Sequence, residues 1–469
     1  MKVSSLKSYI VPTTILNIFA IIFSSGIIFR WWYYIDKYSV NIIFWDQWDF
    51  YNALFENHNL WDLFLWQNGP HRQGVGFIIT KIIAELSGWN TRYETFAIGC
   101  VMCLAMVCAL ILKRRLSKTL SWTDVVIPLI FLTPLQWEIF VNTPNLSHGS
   151  VPILLLILYC LAWTLQCNSL RYTTVLLLNF LLIFTGFGVF IGVITPIILF
   201  IEYFSIRKTA PKKESIILYV SIFISLLSIG AFFIGYKFNP AVDNFKFPIS
   251  EYWEYPLFIA AALGNFFGII GFHIINEDVE LAILFIVGFF LLFIMIRIGL
   301  FHYKSLLSIS SDPLYVDHRK INLSRIIVIL ISFSLIFCIN TAIGRISLGV
   351  LSAASSRYVP YLIPGFFGIY LHLAGSIQNG KFRNILLITT IVCLILATFP
   401  LKELDYQMMT MFKNGKTAWK NYYLQTEDIE RTNQTVGFKI HPNPKKTNLQ
   451  WKLDYLKARK LNLYLNYKR

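Results

Sequence analysis

Eleven runs of strongly apolar residues constrain this chain more than any other feature. They lie near 8–29, 92–112, 122–141, 149–166, 172–187, 189–205, 216–236, 280–298, 325–344, 358–376 and 384–401. About 20 apolar residues in a helix cross the hydrocarbon of a bilayer. Lipid offers no partner to an open N–H or C=O, so such runs must close their own hydrogen bonds as helices. The chain is 56% hydrophobic and only 14% charged, more apolar surface than a soluble core of this size can hide. The expected fold is therefore an all-α polytopic membrane protein with about 11 transmembrane helices.

Two further runs are ambiguous. Residues 73–88 are short and carry Lys81 and Glu85, four apart on one helix face. They read as an amphipathic helix lying on the membrane surface. Residues 254–275 are long enough to cross.

Charge sets the expected orientation. Lys2 and Lys7, then Lys113, Arg114, Arg115 and Lys118, then Arg207, Lys208, Lys212 and Lys213 collect in short connections. Lys304, Arg319, Lys320 and Arg325 do the same, followed by Lys381 and Arg383. The positive-inside rule puts all of these in the cytoplasm only if 73–88 does not cross and 254–275 does not fully cross. The N-terminus is then cytoplasmic and the C-terminus outside, although the tail after 402 carries 13 basic and 6 acidic residues. These loops and the tail together account for the net charge of +16, with no nucleic-acid partner implied. The expected division is a transmembrane domain over 1–402, with an extracytoplasmic loop at 31–91, and a small extracytoplasmic tail over 403–469.

The first run ends in Arg30-Trp31-Trp32-Tyr33-Tyr34, an interface belt with no small-residue cleavage site, which predicts a retained anchor. The seven cysteines lie almost wholly in apolar runs and read as packing residues. Neither GxxxxGK[ST] nor GxGxxG occurs, which argues against a bound nucleotide domain.

Three polar clusters fall on one predicted face. In the loop 31–91, Trp45, Asp46, Trp48 and Asp49 precede Asn68, Pro70, His71 and Arg72. Asp46 and Asp49 are three apart and would share a helix face. Tryptophan rings stack on sugars, and a carboxylate can take the proton of an acceptor hydroxyl. The second cluster is Gln136-Trp137-Glu138, then Asn142 to His148. A carboxylate at a span end is costly unless paired or facing water. The third is Gly344-Arg345 and Ser355-Ser356-Arg357-Tyr358. Arginine forks match phosphate oxygens. A base facing a phosphate clamp suits transfer of a sugar from a lipid phosphate to an acceptor across the membrane.

With these motifs the chain resembles the GT-C glycosyltransferases, and within them the bacterial and phage serotype-converting glucosyltransferases that modify O-antigen. Three motifs carry the resemblance over residues 1–400: the acidic Trp45-Asp46 motif with Asn68-Gly69-Pro70-His71-Arg72, then Gln136-Trp137-Glu138, then Gly344-Arg345 with Ser356-Arg357-Tyr358. A tail pattern, His441-Pro442-Asn443-Pro444, adds to it. The chain departs from the pattern at Gly69-Pro70, in place of an acidic residue, and at Ile139, in place of asparagine.

The resemblance implies a polyprenyl-phosphate sugar donor, with glucose as the sugar of the most similar enzymes. It implies a glycan acceptor such as lipopolysaccharide O-antigen, a surrounding membrane lipid, and a bacterial inner membrane with the site facing the periplasm. Asp46 is the expected general base, with Asp49 as rival. Arg345, Arg357 and Tyr358, with His71 and Arg72, would hold the donor phosphate. Trp45, Trp48, Gln136 and Glu138 would position the acceptor. No cofactor is expected, although two carboxylates three apart could share a divalent cation. Two alternatives stay open: an O-antigen polymerase or ligase, and a lipid-linked sugar flippase or transporter.

Overall fold

The computed structural model describes residues 13–142, 144–206, 211–238, 245–268, 276–308, 317–399, 402–465 and 467. Lys2, Lys7, Arg207 and Lys208, four of the orienting cations, lie outside the described residues, as does the start of the first apolar run. Among those described, helices make up most of the structure, and the only strands are Gln67–Asn68 and His71–Arg72.

Seven helices among the described residues are long and apolar enough to cross a membrane: Thr14–Tyr38, Thr91–Ser117, Gly186–Ser205, Lys212–Phe233, Glu277–Ser308, His318–Leu348 and Gly380–Thr398. Many carry largely exposed apolar side chains, such as Phe19, Ile21 and Ile22 on the first and Phe290 and Phe293 on the fifth. Water would penalise such faces, whereas lipid tails accept them. This is an all-α, multi-pass membrane protein. The remaining predicted runs form shorter helices, at Trp122–Gln136, Ser150–Ala162, Asn168–Ile183 and Val359–Gly375. Pro134 breaks the first of these, because proline cannot donate to the preceding turn. Val126–Phe131 is buried throughout and Val359–Gly375 almost throughout, so these short helices form the centre that the long ones surround.

Two of the cations counted as loop charges prove to be buried at the end of the bundle remote from the first loop. Lys113 pairs with Asp124 at 2.9 Å, and both are nearly inaccessible. Arg325 lies 3.2 Å from Glu202 and over the Trp163 ring. Removing one partner of such a pair strands a charge, so these contacts lock that end of the bundle.

Of the run 254–275, Glu254–Asn265 is helix and 269–275 lies outside the described residues. Twelve residues reach only about 18 Å, well short of the hydrocarbon thickness. This helix lies against Glu277–Ser308 with backbones almost touching. A Cβ at Gly288 would sit 1.9 Å from the Ala260 carbonyl oxygen, and one at Gly264 would sit 2.3 Å from that of Leu284. Small residues permit this approach where lipid supplies no hydrophobic drive between helices. Gly288→Ala is expected to destabilise the purified protein by about 1–3 kcal/mol. A thermal melt in detergent should show the loss, and an unchanged midpoint would mean the two backbones can separate freely.

Outside the membrane helices, the first loop and the tail form one body. The helix predicted over 73–88 spans Gly74–Ser87, with Ile82 and Leu86 exposed. The tail comprises Glu403–Thr426, Ile429–Val436 and Leu449–Ala458. Trp48, Phe50, Tyr51, Phe55 and Phe77 of the loop share a core with Trp419, Tyr423, Leu449, Leu453 and Leu456 of the tail. The apolar stripe of the last helix, Leu449, Leu453 and Leu456, is therefore buried against the loop.

Candidate functional site

A cavity of about 480 Å³ opens where the first loop, residues 138–148 and residues 340–361 meet. Its size falls within the range of small-molecule sites, roughly 300–1,000 Å³. All three sequence clusters reach it. Trp45, Asp46, Asp49, His71, Glu138, Arg345, Arg357 and Tyr358 all line it.

The loop wall begins at Trp45, whose φ of 53° is rare for a residue with a side chain. Its N–H donates to the Ile440 carbonyl at 2.7 Å, so the tail holds this turn in place. Two helical turns follow, Gln47–Phe50 and Asn52–Phe55, wrapped around the buried Trp48, Phe50 and Phe55. Gln47 ties the loop across the cavity, donating to the Pro144 carbonyl at 2.7 Å.

The two aspartates differ sharply. The Asp46 carboxylate makes no hydrogen bond or ion pair with the described residues. Solvent in the cavity reaches it, yet protein crowds around it. That desolvation raises its pKa, with Arg357 and Arg345 opposing the rise and Asp49 adding to it. Asp49 is engaged. Thr447 donates to one carboxylate oxygen at 2.5 Å, and His441 Nε2 lies 3.4 Å from the other. The Asn443 N–H donates to His441 Nδ1, which leaves the proton on Nε2, facing Asp49. Burial works against the charge on Asp49, but the bonds from His441 and Thr447 outweigh it and its pKa is lowered. Lys452 completes the group, donating to Thr447 Oγ1 at 2.8 Å and to the Trp48 carbonyl.

The opposite wall is organised by Glu138. Its Oε2 accepts from Ser355 Oγ at 2.6 Å, Ser356 Oγ at 2.9 Å and the Arg357 N–H at 2.9 Å. Arg357 Nη2 is 3.9 Å from its other oxygen. The carboxylate thus caps the 3-10 turn Ser356–Tyr358 and fixes where Arg357 begins. Half of the Arg357 side chain remains exposed. Arg345 is the last residue of helix His318–Arg345 and reaches the cavity from that end.

Asn68-Gly69-Pro70-His71, the segment that departs from the acidic pattern, is a two-residue hairpin. Asn68 pairs with His71, and Gly69 takes a φ of 59° at the first turn position. The hairpin aims His71 into the cavity and Arg72 away from it.

Three predicted site residues do not line the cavity. Arg72 is buried and donates to the carbonyls of Phe232, Leu65 and Ile234, where it clamps the loop to the end of helix Lys212–Phe233. With its donors so engaged, it is not placed to hold a phosphate. Trp48 is wholly buried in the loop core. Gln136 is wholly buried and donates to the Phe131 carbonyl. Among the described residues, no three side chains of His, Cys, Asp or Glu gather to hold a metal.

The site also holds residues that sequence reasoning left without a role: His148, Phe187, Asn340, Thr341 and Tyr361. Behind Asp49, the tail supplies His441, Thr447 and Lys452. His441 was visible in the His-Pro-Asn-Pro pattern, and His148 in the second cluster. Thr447 and Lys452 carry no local signal.

In comparisons with known proteins, no family model, no curated protein and no solved structure matches this chain.

The lowered pKa of Asp49 has a consequence for stability. A depressed folded-state pKa stabilises the protein above the unfolded value, about 3.9, and that stability is lost as pH falls through the folded value. Asp49 is almost half exposed, so its share is about 1 kcal/mol or less. Asp49→Asn is expected to lower the melting midpoint slightly at neutral pH and to flatten the decline on acidification. Melts of the two proteins across the acid range test this, and parallel curves would refute it.

Proposed function

We propose that this chain is a glycosyltransferase of a bacterial plasma membrane. It moves a sugar from a polyprenyl-phosphate donor to a glycan on the periplasmic side, such as lipopolysaccharide O-antigen. The observation that carries the reading is one cavity in which an unbonded carboxylate of raised pKa, Asp46, faces two arginines, Arg345 and Arg357.

In this reading an acceptor hydroxyl oxygen attacks the anomeric carbon. The bond from that carbon to the phosphate oxygen breaks, and the pair of electrons leaves with the polyprenyl phosphate. Attack from the far side inverts the configuration. The hydroxyl proton passes to Asp46, whose crowded setting makes it a better base than an ordinary aspartate. Asp49 suits the role less, because His441 and Thr447 stabilise its charge. Arg345 and Arg357 stabilise the charge that develops on the leaving phosphate. Glu138 positions Arg357. Phe238 and Phe245 add an apolar wall to the same cavity, which suits the first isoprene units of the carrier.

Transfer from radiolabelled polyprenyl-phosphate sugar to host polysaccharide in membrane vesicles tests the proposal. Asp46→Asn should lower the rate by about two to four orders of magnitude. Arg345→Gln or Arg357→Gln should lower it by about two to three orders. The wild-type rate should fall as pH drops through a pKa above the ordinary aspartate value of about 3.9, because only the ionised carboxylate accepts a proton. Asp46→Asn should abolish that limb. Full transfer by a folded Asp46→Asn protein would rule the mechanism out.

A further inference from the structure

The cavity holds a second set of polar groups that the proposed chemistry leaves unused. His71 and His148 meet edge to face, with ring centroids 5.2 Å apart. Phe187 backs both, at 4.0 Å from His71 and 6.2 Å from His148. Phe187 is itself wedged between Phe337 and Tyr361, at 5.0 and 4.6 Å. The Tyr361 hydroxyl accepts the Gly149 N–H at 2.9 Å, which fixes the turn carrying His148. This is a rigid, apolar-backed corner with two imidazoles at its surface.

Their ring nitrogens are nearly unclaimed. The His71 ring makes no hydrogen bond with the described residues, and His148 has only a 3.4 Å contact, to the Gln73 amide. Both rings touch the cavity. Burial, followed by the proximity of His148 and of Arg345, pushes the His71 pKa well below its usual value. Burial and Arg345 push His148 down to about 4. Both are therefore neutral at physiological pH. A neutral imidazole cannot pair with a phosphate as a cation, but it offers one donor and one acceptor in fixed directions.

We infer that His71, His148 and the Phe187 corner form the subsite for the sugar of the donor, and that this sugar is a neutral hexose. Directional donors and acceptors without net charge match ring hydroxyls. An apolar backing strengthens such bonds and penalises any left unmade. An ammonium group on the sugar would meet Arg345 and a corner that holds even its own imidazoles uncharged. With Arg345 engaged by the phosphate, a carboxylate would be buried unpaired against the apolar backing. The inference rests on the reading of the cavity as a donor site and assigns the part of the donor that the arginines do not hold.

Binding separates this inference from the reading beneath it. The full-length protein in lipid nanodiscs would be titrated with bare polyprenyl phosphate and with polyprenyl phosphates bearing glucose, galactose, mannose or glucuronate. Fluorescence of Trp45 at the cavity wall would report binding, checked against Trp45→Phe. One neutral hexosyl lipid is expected to bind tighter than the bare lipid. His71→Ala and His148→Ala should weaken that lipid about tenfold each, equivalent to one lost hydrogen bond, and leave bare polyprenyl phosphate unchanged. His71→Asn and His148→Gln, which keep a donor and an acceptor, should recover part of the loss, and melting curves would confirm that each variant is folded. Arg345→Gln should weaken every lipid alike. Histidine variants that weaken both kinds of lipid equally, or neither, would overturn the subsite. Tightest binding of the glucuronosyl lipid would overturn the neutral class. Wild-type protein that binds none of the lipids would bring down the donor site itself.

Discussion

Hydrocarbon cannot solvate a polar group, and the whole arrangement follows from that. The spans must be helical, their middles must be nearly free of charge, and ionisable groups must collect at helix ends or pair off. Each of those consequences is visible. At one end, Lys113 with Asp124 and Arg325 with Glu202 neutralise one another in nearly dry surroundings. At the other end, the groups are arranged around an open cavity. The difference is what makes one end a lock and the other a site.

Within the site, Glu138 is the node. One carboxylate oxygen gathers two hydroxyls and a backbone N–H from consecutive residues, and so joins two segments more than 200 residues apart in sequence. A charge at a span end would otherwise be a liability. Here its need for donors organises the turn that presents Arg357. Asp46 is the converse case: its carboxylate is crowded, has no bonded partner among the described residues, and gains proton affinity by desolvation. Neighbouring carboxylates in one loop thus differ in basicity because the tail satisfies one and leaves the other.

That dependence on the tail ties loop geometry to distant sequence. Lys416 donates to the carbonyls of Val141 and Asn142 at 2.6 Å each, and burial lowers its pKa to about 7. Trp137 donates to Asp405. Ile440 accepts from Trp45 at its strained turn. The loop therefore does not hold its shape alone. It is one half of an aromatic core, and the other half lies about 400 residues downstream.

Apolar periodicity and charge bias act locally, so the amino-acid sequence by itself determined the helical class, the position of the apolar segments and the helix at Gly74–Ser87. It also marked most cavity residues, because ionisable and aromatic groups beside apolar runs stand out: Asp46, Asp49, His71, Glu138, Arg345 and Arg357 all reach one space. Which of them remain available was not local information. Arg72 and His71 are adjacent, yet a hairpin sends one to three carbonyls and the other to the cavity. Asp46 and Asp49 look equivalent until Thr447 and His441 arrive from the tail. Only the tertiary structure decided these roles, because hydrogen-bond satisfaction and desolvation depend on which distant groups pack within a few ångströms.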